Sequence, residues 1–135
     1  MDGSGVVSYY SGSVNISTPG VYILEYKKTD IAGNISNIIS RSVTVVDTTI
    51  PLVTLNGLAT LSLEAGSSFS DSGAVWTDIV DGSGTILAST SGSVNYTLPG
   101  TYILEYAYTD THGNTGSTSR TVNIVDTLAP SLYLV

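Results

Sequence analysis

The sequence predicts an all-β protein built from tandem β-sandwiches, and three observations lead to this prediction. Apolar and polar residues alternate with a period of two along residues 102–109 and 120–124, which is typical of strands that bury one face. A stretch of about 80 residues recurs in the chain, and that length suits a small sandwich rather than a solenoid turn. No segment shows the 3.6-residue period of an amphipathic helix.

The repeat is visible when two parts of the chain are compared directly. Residues 11–26 return at 91–106, and after a one-residue deletion Arg41 returns as Arg120. The comparison predicts the C-terminal part of one repeat, one complete repeat and the first strand of a further repeat, at residues 1–48, 49–128 and 129–135. The chain is therefore expected to be an excerpt from a longer array.

About seven strands are expected in the complete repeat. Pro99-Gly100 marks a turn before the strongest strand, and residues 110–114 form the loop after it. The short stretches Gly3-Ser4-Gly5 and Gly82-Ser83-Gly84 are interpreted as turns. Strands are predicted at 52–55, 59–64, 73–77, 85–89, 93–97, 102–109 and 120–124, and the inward positions of the sixth are Tyr102, Leu104, Tyr106 and Tyr108.

The charge of the chain restricts its partners. Eleven acidic residues against four basic ones give a net charge of −7, which disfavours nucleic acid and anionic lipid and favours cations such as calcium. The chain has no cysteine, so thiol chemistry and disulfides are excluded. Neither a membrane-spanning apolar run nor a signal peptide after Met1 is found, so we expect any export signal to lie outside this segment.

The complete repeat contains, in this order, the motifs Pro51-x-Val53-Thr54-Leu55-Asn56-Gly57, Glu64-x-Gly66, Phe69-x-Asp71, Gly73-Ala74, Thr77-Asp78, Asp81-Gly82, Pro99-Gly100-Thr101-Tyr102, Thr109-Asp110-x-x-Gly113-Asn114 and Val125-Asp126-Thr127. In this order and spacing they resemble a known family, the bacterial surface-protein immunoglobulin-like domain, which also occurs in pesticidal crystal toxins and is similar to hyalin repeats. The resemblance implies tandem immunoglobulin-like β-sandwiches of about seven strands, used as spacers or adhesion modules in large exported proteins, and it implies no active site. It covers the complete repeat and, through residues 2–48, the second half of another.

Catalytic residues are not expected. The only histidine, His112, lies in a loop, and no nucleophile, zinc or phosphate-binding motif accompanies it. We therefore predict that the chain is not an enzyme. Trp76 stands where the resembling family usually has a small residue; we expect a core or half-core aromatic, with a sugar-stacking platform as the alternative.

Five oxygen-bearing side chains form the candidate metal site. According to the topology of the resembling family, the loops that hold them lie at the pole where the complete repeat begins. Calcium takes six to eight hard oxygen ligands, and binding at this junction would stiffen the linker between repeats. The alternative is that these residues only build tight turns and end strands. The candidate ligands are Asp47, Asp78, Asp81, Asp110 and Asn114.

Two arginines occupy equivalent places in the last strand of each repeat. Arg41 and Arg120 are expected to make a structural salt bridge or to contact carbonyl groups, with Glu25 and Glu105 on the neighbouring strand as candidate partners.

Three functions stay open at the level of sequence. The first is a structural spacer of a large cell-surface or extracellular protein, whose partners are the neighbouring repeats. The second is an adhesion module that binds a surface glycan or protein, with Tyr9 and Tyr10 as the most accessible aromatics. The third is self-assembly, in which the tail at residues 131–135 pairs with the open strand edge of another chain.

Overall fold

The computed structural model describes residues 9–134. Within this range the chain forms nine β-strands and no helix, which confirms the all-β prediction. The chain divides into two compact units, Met1–Asp47 and Thr48–Val135. The boundaries of the three predicted repeats stay a prediction.

The first unit contains one antiparallel sheet. Its strands are β1 (Tyr9–Ser11), β2 (Gly20–Tyr26) and β3 (Ile39–Val45), in the order β1-β2-β3. Alternation along β2 separates two faces: Leu24 and Tyr26 are half-buried, whereas Val21 and Ile23 are exposed on the opposite face. The register of β2 and β3 places Leu24 opposite Arg41.

The second unit is a sandwich of two three-stranded sheets. One sheet has the order β4-β6-β7 and is antiparallel. The other has the order β5-β9-β8, in which β5 runs parallel to β9 and β8 runs antiparallel to it. The strands are β4 (Leu52–Leu55), β5 (Thr60–Glu64), β6 (Ala74–Asp78), β7 (Gly82–Ile86), β8 (Gly100–Thr109) and β9 (Thr115–Val125).

The core of the second unit lies between these two sheets. The inward positions of β8 and β9 supply most of it, as period-two alternation predicts. Each fully buried aliphatic side chain contributes roughly 1.5–3 kcal/mol relative to exposure, so this cluster is the main source of stability. Its buried apolar members are Val53, Ala74, Leu104, Tyr106, Val122 and Ile124.

Trp76 belongs to the packed part of the sandwich. Its ring stacks on Tyr108 with a centroid separation of 3.7 Å and an interplanar angle of 7°. Gly84 lies beneath the indole, because a Cβ at this position would come within 2.6 Å of the Trp76 Nε1 atom. The half-core interpretation of Trp76 is therefore confirmed, since its side chain is partly buried and packs against the core cluster.

Two predicted local structures are wrong. Residues 93–97 form no strand: 93–95 are irregular, and Asn95 begins a turn in which its Oδ1 accepts a hydrogen bond from the Thr97 amide, so the described residues of the second unit form six strands. Residues 82–84 are not a turn but the start of β7. Glycine is suited to this strand position because the indole of Trp76 occupies the space of a side chain. The predicted strand at 85–89 therefore begins and ends earlier, at Gly82–Ile86.

Candidate functional site

Two loops of the second unit bring acidic side chains together at one pole of the sandwich. Asp78 is the last residue of β6, and Asp81 immediately precedes β7. Asp110 follows β8. One carboxylate oxygen of Asp78 lies within 4.8 Å of one from Asp110. Thr111 Oγ1 donates a hydrogen bond of 2.7 Å to Asp81 Oδ1 and so ties the two loops together.

Asp110 organises the loop between β8 and β9. Its Oδ1 accepts hydrogen bonds from the amides of His112 (2.9 Å) and Asn114 (2.8 Å), and its Oδ2 accepts one from Asn114 Nδ2 (2.7 Å). Burial opposes ionisation of Asp110, but the hydrogen bonds from Asn114, His112 and Gly113 outweigh it and hold its pKa below the ordinary value. Gly113 has φ +91°, a left-handed conformation that favours glycine. The turn-building role of Asp110, Gly113 and Asn114 is therefore present in the structure.

The first unit contains the same loop. Asp30 Oδ1 accepts a hydrogen bond from the Asn34 amide, and Oδ2 accepts one from Asn34 Nδ2, each of 2.8 Å. The side-chain hydrogen bond from Asn34, followed by that from its backbone, lowers the pKa of Asp30. Hydrogen bonds between Asp30 and Asn34 build this loop, and such local bonds are sufficient to explain the Asp-x-x-Gly-Asn pattern.

Two carboxylate oxygens at the pole accept no hydrogen bond from the described residues. Asp78 Oδ1 accepts from the amides of Val80 and Asp81, but Asp78 Oδ2 and Asp81 Oδ2 are buried and have no hydrogen-bond partner within the described residues. The pole therefore gathers Asp78, Asp81 and Asp110, while the side-chain nitrogen of Asn114 faces Asp110. Asp47 is the last residue of the first unit. The calcium site stays a prediction.

Two neighbours of His112 approach the same nitrogen of its ring. Its Nδ1 lies 3.2 Å from Thr111 Oγ1 and 3.8 Å from Asp81 Oδ2. In a Ser-His-Asp relay the nucleophile and the carboxylate face different ring nitrogens, whereas here both groups approach the same one. The Thr111 hydroxyl also donates to Asp81 rather than to the imidazole. This arrangement does not activate Thr111 as a nucleophile.

A buried arginine joins the two sheets of the second unit. Arg120 is only 1% exposed. Its Nη1 donates to Asp71 Oδ1 (3.0 Å) and Ser72 Oγ (3.1 Å), and its Nη2 donates to the carbonyls of Gly73 (3.2 Å) and Asn56. These four acceptors bond both Nη atoms of a charge that would otherwise be costly to bury, whereas the buried Nε has no hydrogen-bond partner among the described residues. The predicted salt bridge and carbonyl contacts of Arg120 are confirmed.

The predicted carboxylate partner of Arg120 is wrong. Glu105 alternates with Leu104 and Tyr106 and therefore points to the outer face, where it accepts a hydrogen bond of 3.1 Å from Ser91 Oγ. The true partner, Asp71, also accepts a 2.6 Å hydrogen bond from the Tyr106 hydroxyl. Burial, followed by this hydrogen bond, raises the pKa of Tyr106 to about 12. In the first unit Glu25 likewise accepts from Ser11 Oγ at 2.6 Å.

The polypeptide joins the second unit at opposite ends of β9. Before β4, Pro51 is fully buried, and its carbonyl approaches Gly116 so closely that no room is left for a Cβ there. After β9, Glu64 accepts hydrogen bonds from the Thr127 amide (2.7 Å) and hydroxyl (2.9 Å). These bonds lower the pKa of Glu64, the backbone bond contributing most. β9 has 11 residues, so the two attachment points are separated by roughly 35 Å at about 3.4 Å per residue.

The described part of the chain contains no helix that is long and apolar enough to cross a membrane. No curated protein matches the chain. A family profile, described as "Bacterial surface protein, Ig-like domain", matches residues 53–124, which is more than half of the chain and nearly all of the sandwich. The match ends within β9 and includes Asp71, Tyr106 and Arg120. With its sandwich topology and this match, the chain belongs to the family of bacterial surface-protein immunoglobulin-like domains.

Proposed function

We propose that the second unit is a non-catalytic spacer of an exported cell-surface protein, joined end to end with neighbouring modules. The observation that carries this proposal is the placement of its two attachment points, Pro51 and Thr127, at opposite ends of β9. A module whose chain enters at one pole and leaves at the other adds its full length to a stalk. Family membership supports a structural role at the bacterial surface.

Local packing at both poles supports the same role. At the N-terminal pole, Pro51 restricts its own φ and is held against Gly116, so the incoming segment has little freedom. At the C-terminal pole, the two hydrogen bonds from Thr127 to Glu64 fasten the outgoing segment. Fixed segments transmit orientation from one module to the next, which a stalk requires and a flexible tether does not.

Strand orientation supports resistance to pulling. A force applied at residues 51 and 127 acts along β9, which is paired on both sides, with β5 and with β8. The ladder bonds between β5 and β9 are then loaded together rather than one after another. The non-catalytic part of the proposal rests on the family and on the arrangement around His112, where Thr111 and Asp81 share a single ring nitrogen.

Distances between introduced cysteines test the spacer proposal, because the natural chain has none. Ile50→Cys and Leu128→Cys place spin labels on exposed side chains just outside the two attachment points. We expect a single narrow distance of roughly 30–40 Å between them. The matched control pairs Ile50→Cys with Ile79→Cys, an exposed residue at the same pole, and is expected to give under about 20 Å. A short distance for the first pair, or a broad distribution, contradicts the proposal.

A further inference from the structure

The sheet of the first unit reproduces half of the second unit in detail. Leu24 lies opposite Arg41 in the register of β2 and β3, as Leu104 lies opposite Arg120 in that of β8 and β9. The arginine stands over a tyrosine ring in both, with 5.9 Å from the Arg41 guanidinium carbon to the Tyr26 centroid and 5.6 Å from that of Arg120 to Tyr106. The two hairpins therefore present the same side chains in the same arrangement.

Surface hydrogen bonds repeat as well. The Tyr22 hydroxyl donates to the Thr18 carbonyl at 2.7 Å, and the Tyr102 hydroxyl donates to the Leu98 carbonyl at 2.9 Å. The equivalence thus extends from the inner positions of the hairpin to the turn that precedes it. The sheet of β4, β6 and β7 covers the inner face of β8 and β9 in the second unit. The first unit therefore presents a surface of the kind that this sheet covers.

The inner face of the first unit is open, whereas its counterpart is closed. In the second unit Leu104, Tyr106, Arg120, Val122 and Ile124 are buried beneath the sheet of β4, β6 and β7. The equivalent residues of the first unit, here named the open face, are half-buried apart from an exposed arginine: Leu24, Tyr26, Arg41, Val43 and Val45.

Two grooves follow the open face. One of about 370 Å³ is lined by Gly12, Ser13, Val14, Leu24 and Tyr26. The other, of about 340 Å³, is lined by Tyr26, Ile39, Ser40 and Arg41. Within the described residues, β3 has no strand on the edge that corresponds to the β5 side of β9. The first unit therefore has room for a second sheet over its open face and for an additional strand beside β3.

We propose that the open face is a docking surface for the N-terminal half of a repeat, a polypeptide with the residue pattern of 49–90. Arg41 favours this occupant over a purely apolar partner, because a buried arginine needs hydrogen-bond acceptors. The two Nη atoms of its equivalent, Arg120, donate to one carboxylate, one hydroxyl and two carbonyls, all supplied by that half: Asp71, Ser72, Asn56 and Gly73. Among the described residues, the Arg41 guanidinium has the Tyr26 ring beside it but none of these acceptors.

A second copy of this chain does not offer such a segment freely. Its own residues 49–90 already form β4 to β7 and already bind Arg120. Transfer of that half to Arg41 of another molecule would open one sandwich in order to close another. The occupant is therefore an additional half-repeat, and this inference does not depend on the spacer function of the second unit.

Titration of the full chain with the fragment 49–90 tests the proposal. NMR spectra of the labelled chain are expected to show saturable shifts in β2 and β3 and none in β8 and β9. The second unit keeps its own half, because that half is covalently attached and has a high effective concentration. Arg41→Ala is expected to weaken binding roughly 30-fold or more, as does loss of one partner from a buried hydrogen-bonded ion pair.

Two controls isolate the role of the open face. Val21→Thr changes the exposed outer face of β2 to the residue found at the equivalent position 101, and it is expected to leave binding unchanged. In the fragment, Asp71→Ala is expected to weaken binding as much as Arg41→Ala does. The two changes combined are expected to cause little further loss, since they remove the same ion pair.

The proposal is overturned by any of three results: no saturable binding of a soluble fragment, binding that is insensitive to Arg41→Ala, or self-association of the chain through Arg41 that excludes the fragment. If the fragment aggregates, a chain with residues 49–90 inserted directly before Ser11 decides the question. Hydrogen exchange of β3 amides is then expected to slow to the rates of β9, and unchanged exchange overturns the proposal.

Discussion

Asp71→Ala is the perturbation that most directly tests how the two sheets of the sandwich are held together. Asp71 supplies the only carboxylate that pairs with Arg120 among the described residues, and it also accepts the hydrogen bond of the Tyr106 hydroxyl. The substitution leaves the guanidinium of Arg120 in place and only 1% exposed, and water can approach it only from the side of Asp71, which is 21% exposed.

The expected loss is large compared with the stability of a small domain. Removal of one partner from a buried ion pair costs about 3–5 kcal/mol, against a total of about 5–15 kcal/mol for a typical domain. In a domain of this size each kcal/mol lowers the melting temperature by roughly 4–8 °C, so the variant is expected to melt at least about 12 °C lower. Replacement of both partners, as Asp71→Ala with Arg120→Met, is expected to be less destabilising than Asp71→Ala alone, because no buried charge remains.

Urea unfolding followed by tryptophan fluorescence measures this loss in the second unit alone, because Trp76 is the only tryptophan and lies in β6. The matched control is Asp126→Ala, which removes an exposed carboxylate whose hydrogen bond to the Leu128 amide is 3.3 Å long. We expect the control to change the unfolding free energy by less than about 0.5 kcal/mol. If Asp71→Ala costs no more than Asp126→Ala, the reasoning about the buried arginine is refuted.

Three further predictions concern pH, packing and metal. The pKa of Tyr106 is raised to about 12 from 10.0, so the neutral phenol stabilises the fold fully below about pH 10, and this contribution is lost as the pH rises through 12. In urea unfolding, Tyr106→Phe is expected to reduce the fall of the unfolding free energy at alkaline pH. An unchanged slope of unfolding free energy against pH contradicts the prediction. Gly116→Ala is expected to cost about 1–3 kcal/mol in the same assay, since the new Cβ meets the Pro51 carbonyl; an unaltered midpoint means that the incoming segment is not held there. If the pole binds calcium, millimolar calcium is expected to raise the melting temperature, and Asp78→Asn is expected to abolish this rise. A melting temperature that is insensitive to both calcium and EDTA rules out the calcium site.

The strands with clear alternation were predictable because their signal is local. Tyr102, Leu104 and Tyr106 recur at every second position, and a strand turns such residues to one side whatever it later packs against. The structure buries Leu104 and Tyr106 and leaves Ile103 exposed, as the pattern requires. The Asp-x-x-Gly-Asn loops were equally accessible to sequence reasoning, since the carboxylate of Asp110 satisfies amides only two and four residues away.

Weakly patterned segments were less predictable, because their conformation depends on distant neighbours. Gly82, Ser83 and Gly84 have the composition of a turn, yet they extend as part of β7 because the Trp76 ring of β6 needs the space above Gly84. Residues 93–97 have the composition of a strand, yet they are irregular and end in a turn that the Asn95 side chain closes. In both places side-chain contacts or local capping outweigh intrinsic β-propensity.

The amino-acid sequence by itself determined the all-β class, the inward faces of β8 and β9, and the need of Arg120 for a structural partner. These properties depend on residue type and on spacing of two to four positions along the chain. Only the tertiary structure decided that the partner is Asp71, 49 positions away, and that Pro51 and Thr127 lie at opposite ends of β9. The alternation of apolar and polar residues predicts which face of the sheet a side chain lies on. It does not predict which strand of the facing sheet that side chain contacts, because this depends on how the whole chain folds.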